Sequence, residues 1–92
     1  MHMSKEPLLK FPCLFPIKIM GLNDANLVPQ VINIITNYCK DSEFNPNKDV
    51  HIKTSKKGNY LSVTATIMAQ SQEQLDNIYI NLNNNELVKV TL

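Results

Sequence analysis

From Tyr60 to Ala69 the side chains alternate with a period of two, and the apolar residues of the segment that follows, 71–82, recur at helical spacing. Leu61, Val63, Ala65, Ile67 and Ala69 share one face of the implied strand, whereas Tyr60, Ser62, Thr64, Thr66 and Met68 share the other. A strand with one oily face that passes straight into an amphipathic helix hides both apolar surfaces when the helix lies back across it. The predicted fold class is therefore α+β, with helices on one side of a sheet and the opposite side open.

The helix after this strand is well marked. Ser71 and Gln74 have the spacing of a capping box, and Leu75, Ile78, Tyr79 and Leu82 follow at i, i+3, i+4 and i+7. Asn83, Asn84 and Asn85 accept left-handed backbone and are expected to end it. Residues 87–92 form a closing strand.

Upstream, residues 11–20 are apolar and extended, but Pro12 and Pro16 cannot donate ladder hydrogen bonds. Pairing is thus expected to begin after Pro16, with residues 17–20 as a central strand and Phe11 and Phe15 covering the sheet end. Gly21 to Asp24 reads as a turn in which Gly21 supplies a positive φ and Asn23 or Asp24 caps the next helix. Leu27, Val28, Val31, Ile32, Ile34, Ile35 and Tyr38 give that helix a broad apolar stripe. Pro29 must fall in its first turn, which sets the start at about Asn26. Residues 41–49 read as a loop, and 50–55 as a short edge strand whose Lys53 opposes edge-to-edge association. Residues 55–59 are a hairpin connection with Gly58 in the left-handed region. The order β-α-β-β-α-β predicts a ferredoxin-like sandwich: a four-stranded antiparallel sheet, order 4-1-3-2, with both helices on one face.

Ninety-two residues suffice for one domain, assigned to 11–92. Residues 1–10 read as a flexible lead-in, and Met1, His2 and Met3 look like a cloning remnant. No apolar stretch approaches the ~18 residues of a membrane helix, and the N-terminus lacks the apolar run of a signal peptide, so a cytoplasmic location without membrane association is expected. Nine Lys against eight acids leave a formal charge of +1, and Arg is absent. Phosphate-reading surfaces use a basic excess and the guanidinium fork, so nucleic acid is not an expected partner.

Few residues carry chemistry. Cys13 and Cys39 lack metal or redox spacing and read as reduced core thiols. His51 has no companion ligand in its segment and reads as a solvent-facing strand residue, and Asp24 and Asp76 have no paired carboxylate. No catalytic residue, metal site or cofactor is predicted. Two surfaces remain. Lys18, Met20, Gly21, Asn23 and Asp24 surround the first strand-to-helix turn, where helix-start amides suit an anionic or amino-acid-like ligand. The open sheet face, drawn from Lys18, Met20, His51, Lys53, Ser62, Thr64, Thr66 and Lys89, with Met20 and Met68 near its centre, is the expected interaction face.

Four segments taken in order, Phe11-Pro-Cys-Leu-Phe-Pro-Ile-Lys-Ile-Met-Gly21, Ser55-Lys-Lys-Gly-Asn-Tyr-Leu-Ser-Val-Thr64, Ser71-Gln-Glu-Gln-Leu-Asp-Asn-Ile-Tyr79 and Val88-Lys-Val-Thr-Leu92, resemble the YbeD-like family of small bacterial proteins. The likeness spans residues 9–92 apart from the Asn-rich loop 41–49. That family is one of unknown function, with a fold similar to the ACT domains that sense amino acids in metabolic enzymes. The resemblance implies a non-catalytic regulatory or ligand-binding module. The alternative is a protein-interaction subunit acting through the open face or an edge strand. The expected partner is a protein or a small metabolite, with a homodimer among the forms.

Overall fold

The computed structural model describes residues 9–40 and 44–92. The lead-in, apart from Leu9 and Lys10, and the first part of the 41–49 loop lie outside the described residues. Four strands, β1 (Cys13–Leu22), β2 (Val50–Thr54), β3 (Tyr60–Ala69) and β4 (Val88–Thr91), form one sheet in the order β2-β3-β1-β4, the predicted order read from its other edge. Every pairing is antiparallel. Two long helices, α1 (Leu27–Tyr38) and α3 (Gln72–Asn83), contribute Leu27, Val31 and Ile35, and Leu75, Ile78 and Leu82, to the core. A single helical turn, α2 (Pro46–Asp49), interrupts what the sequence reads as loop. Asn45 starts it by accepting the Asn47 N–H at 3.0 Å, and Pro46 supplies a preset φ at the first position.

The central pair is longer than expected. β1 pairs with β3 in unbroken register from Cys13 opposite Ala69 to Leu22 opposite Tyr60. Pro16 does not interrupt it, because alternate residues turn their N–H groups to opposite strands. Lys18 and Leu22 donate toward the β4 side, to Leu92 O and Leu87 O at 3.3 and 2.9 Å, so the missing N–H of Pro16 lies on that same side, beyond the end of β4, and Pro12 precedes β1.

Gly21 also departs from its expected role. It lies within β1, and Gly58, at φ 79°, is the positive-φ glycine among the described residues. Its requirement is space. A Cβ on Gly21 would stand 2.6 Å from Leu87 O and 2.7 Å from the Leu27 side chain, which is fully buried. The β1–β4 register shifts between Met20 and Gly21, and Leu22 N–H donates to the same Leu87 carbonyl.

Helix ends follow the predicted logic with changed details. Ser71 Oγ accepts from Gln74 N–H at 3.1 Å, but Gln74 Oε1 reaches back one residue further than in a standard box, to Gln70 N–H at 2.7 Å. Gln74 Nε2 donates to Tyr38 O at 2.7 Å, so one side chain serves the start of α3 and the end of α1. Asn84, at φ −85°, closes α3 in right-handed conformation, where a left-handed residue was expected, with its N–H on Ile80 O. The 55–59 hairpin is as predicted, with Gly58 N–H on Ser55 O at 2.9 Å.

The core lies wholly between sheet and helices: Ile17, Ile19, Val63, Ala65, Ile67 and Ala69 from the strands meet the α1 and α3 stripes. Its cover thins over β2, where Ile52 faces the helix side yet is 51% exposed. At the opposite edge Tyr79 Oη donates to Leu92 O at 2.9 Å, and burial raises the phenol above its usual 10.0.

Two outcomes follow from this packing. Gly21→Ala is expected to lower stability by about 1–3 kcal/mol, and Gly21→Val by more, because the nearest obstacle is backbone; denaturant midpoints at constant m-value measure it. For Tyr79, the folded phenol holds its proton more tightly than the unfolded one, so its contribution is intact below pH ~10 and fades as pH rises through the raised value. Tyr79→Phe removes that alkaline component and costs about 1 kcal/mol near neutrality, read from melting curves across pH.

Candidate functional site

Strand parity decides which side chains the uncovered face presents. The even-numbered residues of β1 and β3 point away from the helices, and β2 joins them through His51, opposite Thr64, and Lys53, opposite Ser62. Lys18, Met20, His51, Lys53, Ser62, Thr64 and Thr66 therefore share one surface, as the alternation predicts. Thr64 and Thr66 are half-buried and the other five exposed.

Three residues that sequence reasoning missed enlarge the apolar part of this face. Leu14, 68% exposed, stands opposite Met68, because β1 starts before Pro16. Val90 stands opposite Met20, and Leu92 exchanges backbone hydrogen bonds with Lys18 at 2.8 and 3.3 Å. Regular alternation after the inward-facing Val88 puts Lys89 on the open face. The register shift instead turns Val90 outward and Thr91 toward the helix side, where its Oγ1 lies 3.1 Å from Asn83 Oδ1. A sequence signal existed for Leu14, its parity with Lys18 and Met20; for Val90 there was none, since a bulge is invisible to periodicity. Leu14, Met20, Met68, Val90 and Leu92 are all exposed, and no described element covers them.

A shallow hollow of about 260 Å³ indents one corner of the face. Met20, Tyr60 and Ser62 line it together with Lys53 and, from the hairpin, Lys56. Two lysine side chains thus share the lining of an otherwise apolar hollow.

The five residues expected around the first strand-to-helix turn do not converge. Lys18 and Met20 belong to the open face, and Gly21 is buried beneath Leu27. Asn23 ties β1 to the hairpin: its Nδ2 donates to Gly58 O at 2.8 Å and its backbone N–H to Asn59 O at 3.0 Å. Asp24 serves its own helix, with Oδ1 on Asn26 N–H at 2.8 Å and its carbonyl on Leu27 N–H at 3.0 Å. Pro29 removes a further amide, so a carboxylate and a proline stand where an anion was expected to dock. Beside them lies a polar cleft of about 430 Å³ lined by Asp24, Asn26, Gln30, Asn84, Asn85 and Glu86. Asn85 Nδ2 bridges its two walls by donating to Gln30 Oε1 at 2.7 Å.

Among the described residues, no cluster of three or more His, Cys, Asp or Glu is placed to hold a metal ion. His51 is exposed, Cys39 is buried, and Cys13 is half-buried at the start of β1. No helix of the described residues is long and apolar enough to cross a membrane.

The geometry has close counterparts. An ACT domain from the GTP pyrophosphokinase of Chlorobium tepidum superposes with a TM-score of 0.67 at 14% identity, over 86% of this chain and 94% of that one. A protein from H. pylori, solved in solution, superposes with a TM-score of 0.75 at 20% identity over 99% and 96% of the two chains. At such identities the likeness establishes an ACT-like fold. Sequence similarity is much higher to the UPF0250 proteins: one from Photorhabdus laumondii subsp. laumondii is 42% identical over 92 residues, 100% of each chain. Another, from Janthinobacterium sp. (strain Marseille), is 41% identical over 87 residues, 95% of this chain and 92% of its own. Residues 6–92 match the family described as "Protein of unknown function (DUF493)". The chain belongs to this DUF493 family of UPF0250 proteins, in keeping with its YbeD-like sequence segments.

Proposed function

We propose that this chain is a non-catalytic regulatory module of ACT-like build that works by docking a partner protein on the uncovered face of its sheet. One observation carries the reading: Leu14, Met20, Met68, Val90 and Leu92 are exposed together on a face that no described element shields. Exposed apolar residues gathered at both ends of one bare face are more than single scattered ones, and surfaces of this kind are characteristic of interaction sites. The backbone beneath it is paired as a four-stranded sheet, so binding there asks for little reordering of the main chain.

A photo-crosslinking residue at Thr64, in the middle of the face, tests this against the same residue at Asp76, on the exposed side of α3. A discrete protein adduct in cells from Thr64 and not from Asp76 is the expected result. Equal adducts from both positions, or none from Thr64, would defeat the reading.

The polar cleft favours a second reading, a small metabolite. Its two carboxylates and four amide side chains present a surface suited to a ligand rich in donors, such as an amine or a neutral amino acid, more than to the anion expected from a helix start. Thermal-shift screening of amines and amino acids is expected to show stabilisation that Glu86→Gln diminishes; a panel without any shift would leave the docking reading alone. Gly21 is unsuited to such a test, because its replacement disturbs the core first.

A further inference from the structure

We infer that the protein docked on the open face is acidic, offering an apolar side chain flanked by carboxylates; this rests on the docking reading above. The described acids of this molecule are segregated from its sheet, whereas its lysines are shared between strands and loops. None of the four strands contains a carboxylate, and their ionisable side chains other than Cys13 and Tyr60 are Lys18, His51, Lys53 and Lys89. The described acids, Asp24, Asp49, Glu73, Asp76 and Glu86, all lie in helices or loops. With nine Lys against eight acids overall, the cationic character of the sheet face is not a property of the whole chain.

Any occupant that covers the exposed apolar residues must also cover Lys18, which lies between them, and one seated in the hollow beside Met20 also meets Lys53. Burying an ammonium without a counter-charge is costly, and no described side chain of the face supplies one. The partner must bring it. Lys53, Ser62, Met20 and Val90 form one row across the sheet, and His51, Thr64, Lys18 and Leu92 the next. Two strands and one row separate Lys18 from Lys53, about 12 Å at ordinary sheet spacings, so the complementary carboxylates are about that far apart. The hollow lined by Met20, Tyr60, Lys53 and Lys56, at the Lys53 end of that span, takes the apolar side chain.

Other occupants fit less well. A second copy stacked face to face brings the same lysines together with no acid between them. Nucleic acid neutralises the lysines but leaves Leu14, Met68, Val90 and Leu92 uncovered, and the central rows have no aromatic side chain for base stacking.

The test is a titration of the isotope-labelled full chain, followed by NMR, with two short synthetic peptides of equal apolar content, one interspersed with Glu and the other with Lys. The Glu peptide is expected to shift Met20, Lys53, Ser62, Thr64 and Val90, to weaken about ten-fold between low and physiological salt, and to lose its advantage in the Lys18→Glu, Lys53→Glu double variant. Equal or stronger binding of the Lys peptide, or no response of the face to the Glu peptide, overturns the inference. So does tighter binding of a single-stranded oligonucleotide, or shifts of the same residues on concentrating the chain alone. The double variant also separates the two claims in cells. A Thr64 adduct that survives in it refutes acidity and leaves docking standing, whereas absence of any Thr64 adduct in the parent chain removes docking itself.

Discussion

The ten-residue antiparallel pairing of β1 with β3 governs the remainder of the molecule. A shift of one residue in that register exchanges every inward and outward side chain, so the pairing decides at once which residues make the core and which meet solvent. Ile17, Ile19, Val63, Ala65 and Ile67 are almost completely buried because of it. The helices are then placed by the stripes that cover this oily surface, and the close approach of Leu27 and the Leu87 carbonyl to Gly21 fixes how near α1 and the β4 entry come to the central strand. Gln74 secures the far end, joining the beginning of α3 to the last carbonyls of α1.

Much of this was legible in the residue order, because alternation and helical spacing are direct images of burial. The strand order follows from the succession of elements, and the single-sided helix layer and seven of the eight residues drawn on the open face follow from parity, Lys89 lying where the β4 register shifts. The failures have separate causes. Pro16 suggests a late start to the pairing, yet a proline is harmless where its nitrogen faces a vacant edge. Gly21 suggests a turn through its backbone freedom, whereas its role within β1 is absence of volume. The one-turn helix α2 is too short for periodicity to register, and the proposed ligand corner dissolved because Asn23 and Asp24 are occupied by local hydrogen bonds to the hairpin and to the helix start. Spacing in sequence shows that such groups are near one another; it does not show that they are already engaged.

An ACT-like fold and membership of a family without assigned activity leave function to be argued from surfaces. The two halves of this sandwich are chemically unlike. The helix layer and its connecting loops hold the described carboxylates, and the sheet carries only cations and neutral groups. Such a division leaves the sheet with a small positive excess while the helices and loops, where five lysines stand among the five described acids, are close to balanced.

The irregularity between Met20 and Gly21 bears on how this surface arose. Had the last strand kept strict alternation, Val90 would have joined Val88 beneath the helices and a lysine would have taken its outward place. The extra residue reverses that outcome, showing a valine to water and turning a threonine inward. Lost burial of this sort costs the domain stability, so the outward turn of Val90 is imposed by backbone pairing against the drive to hide a valine.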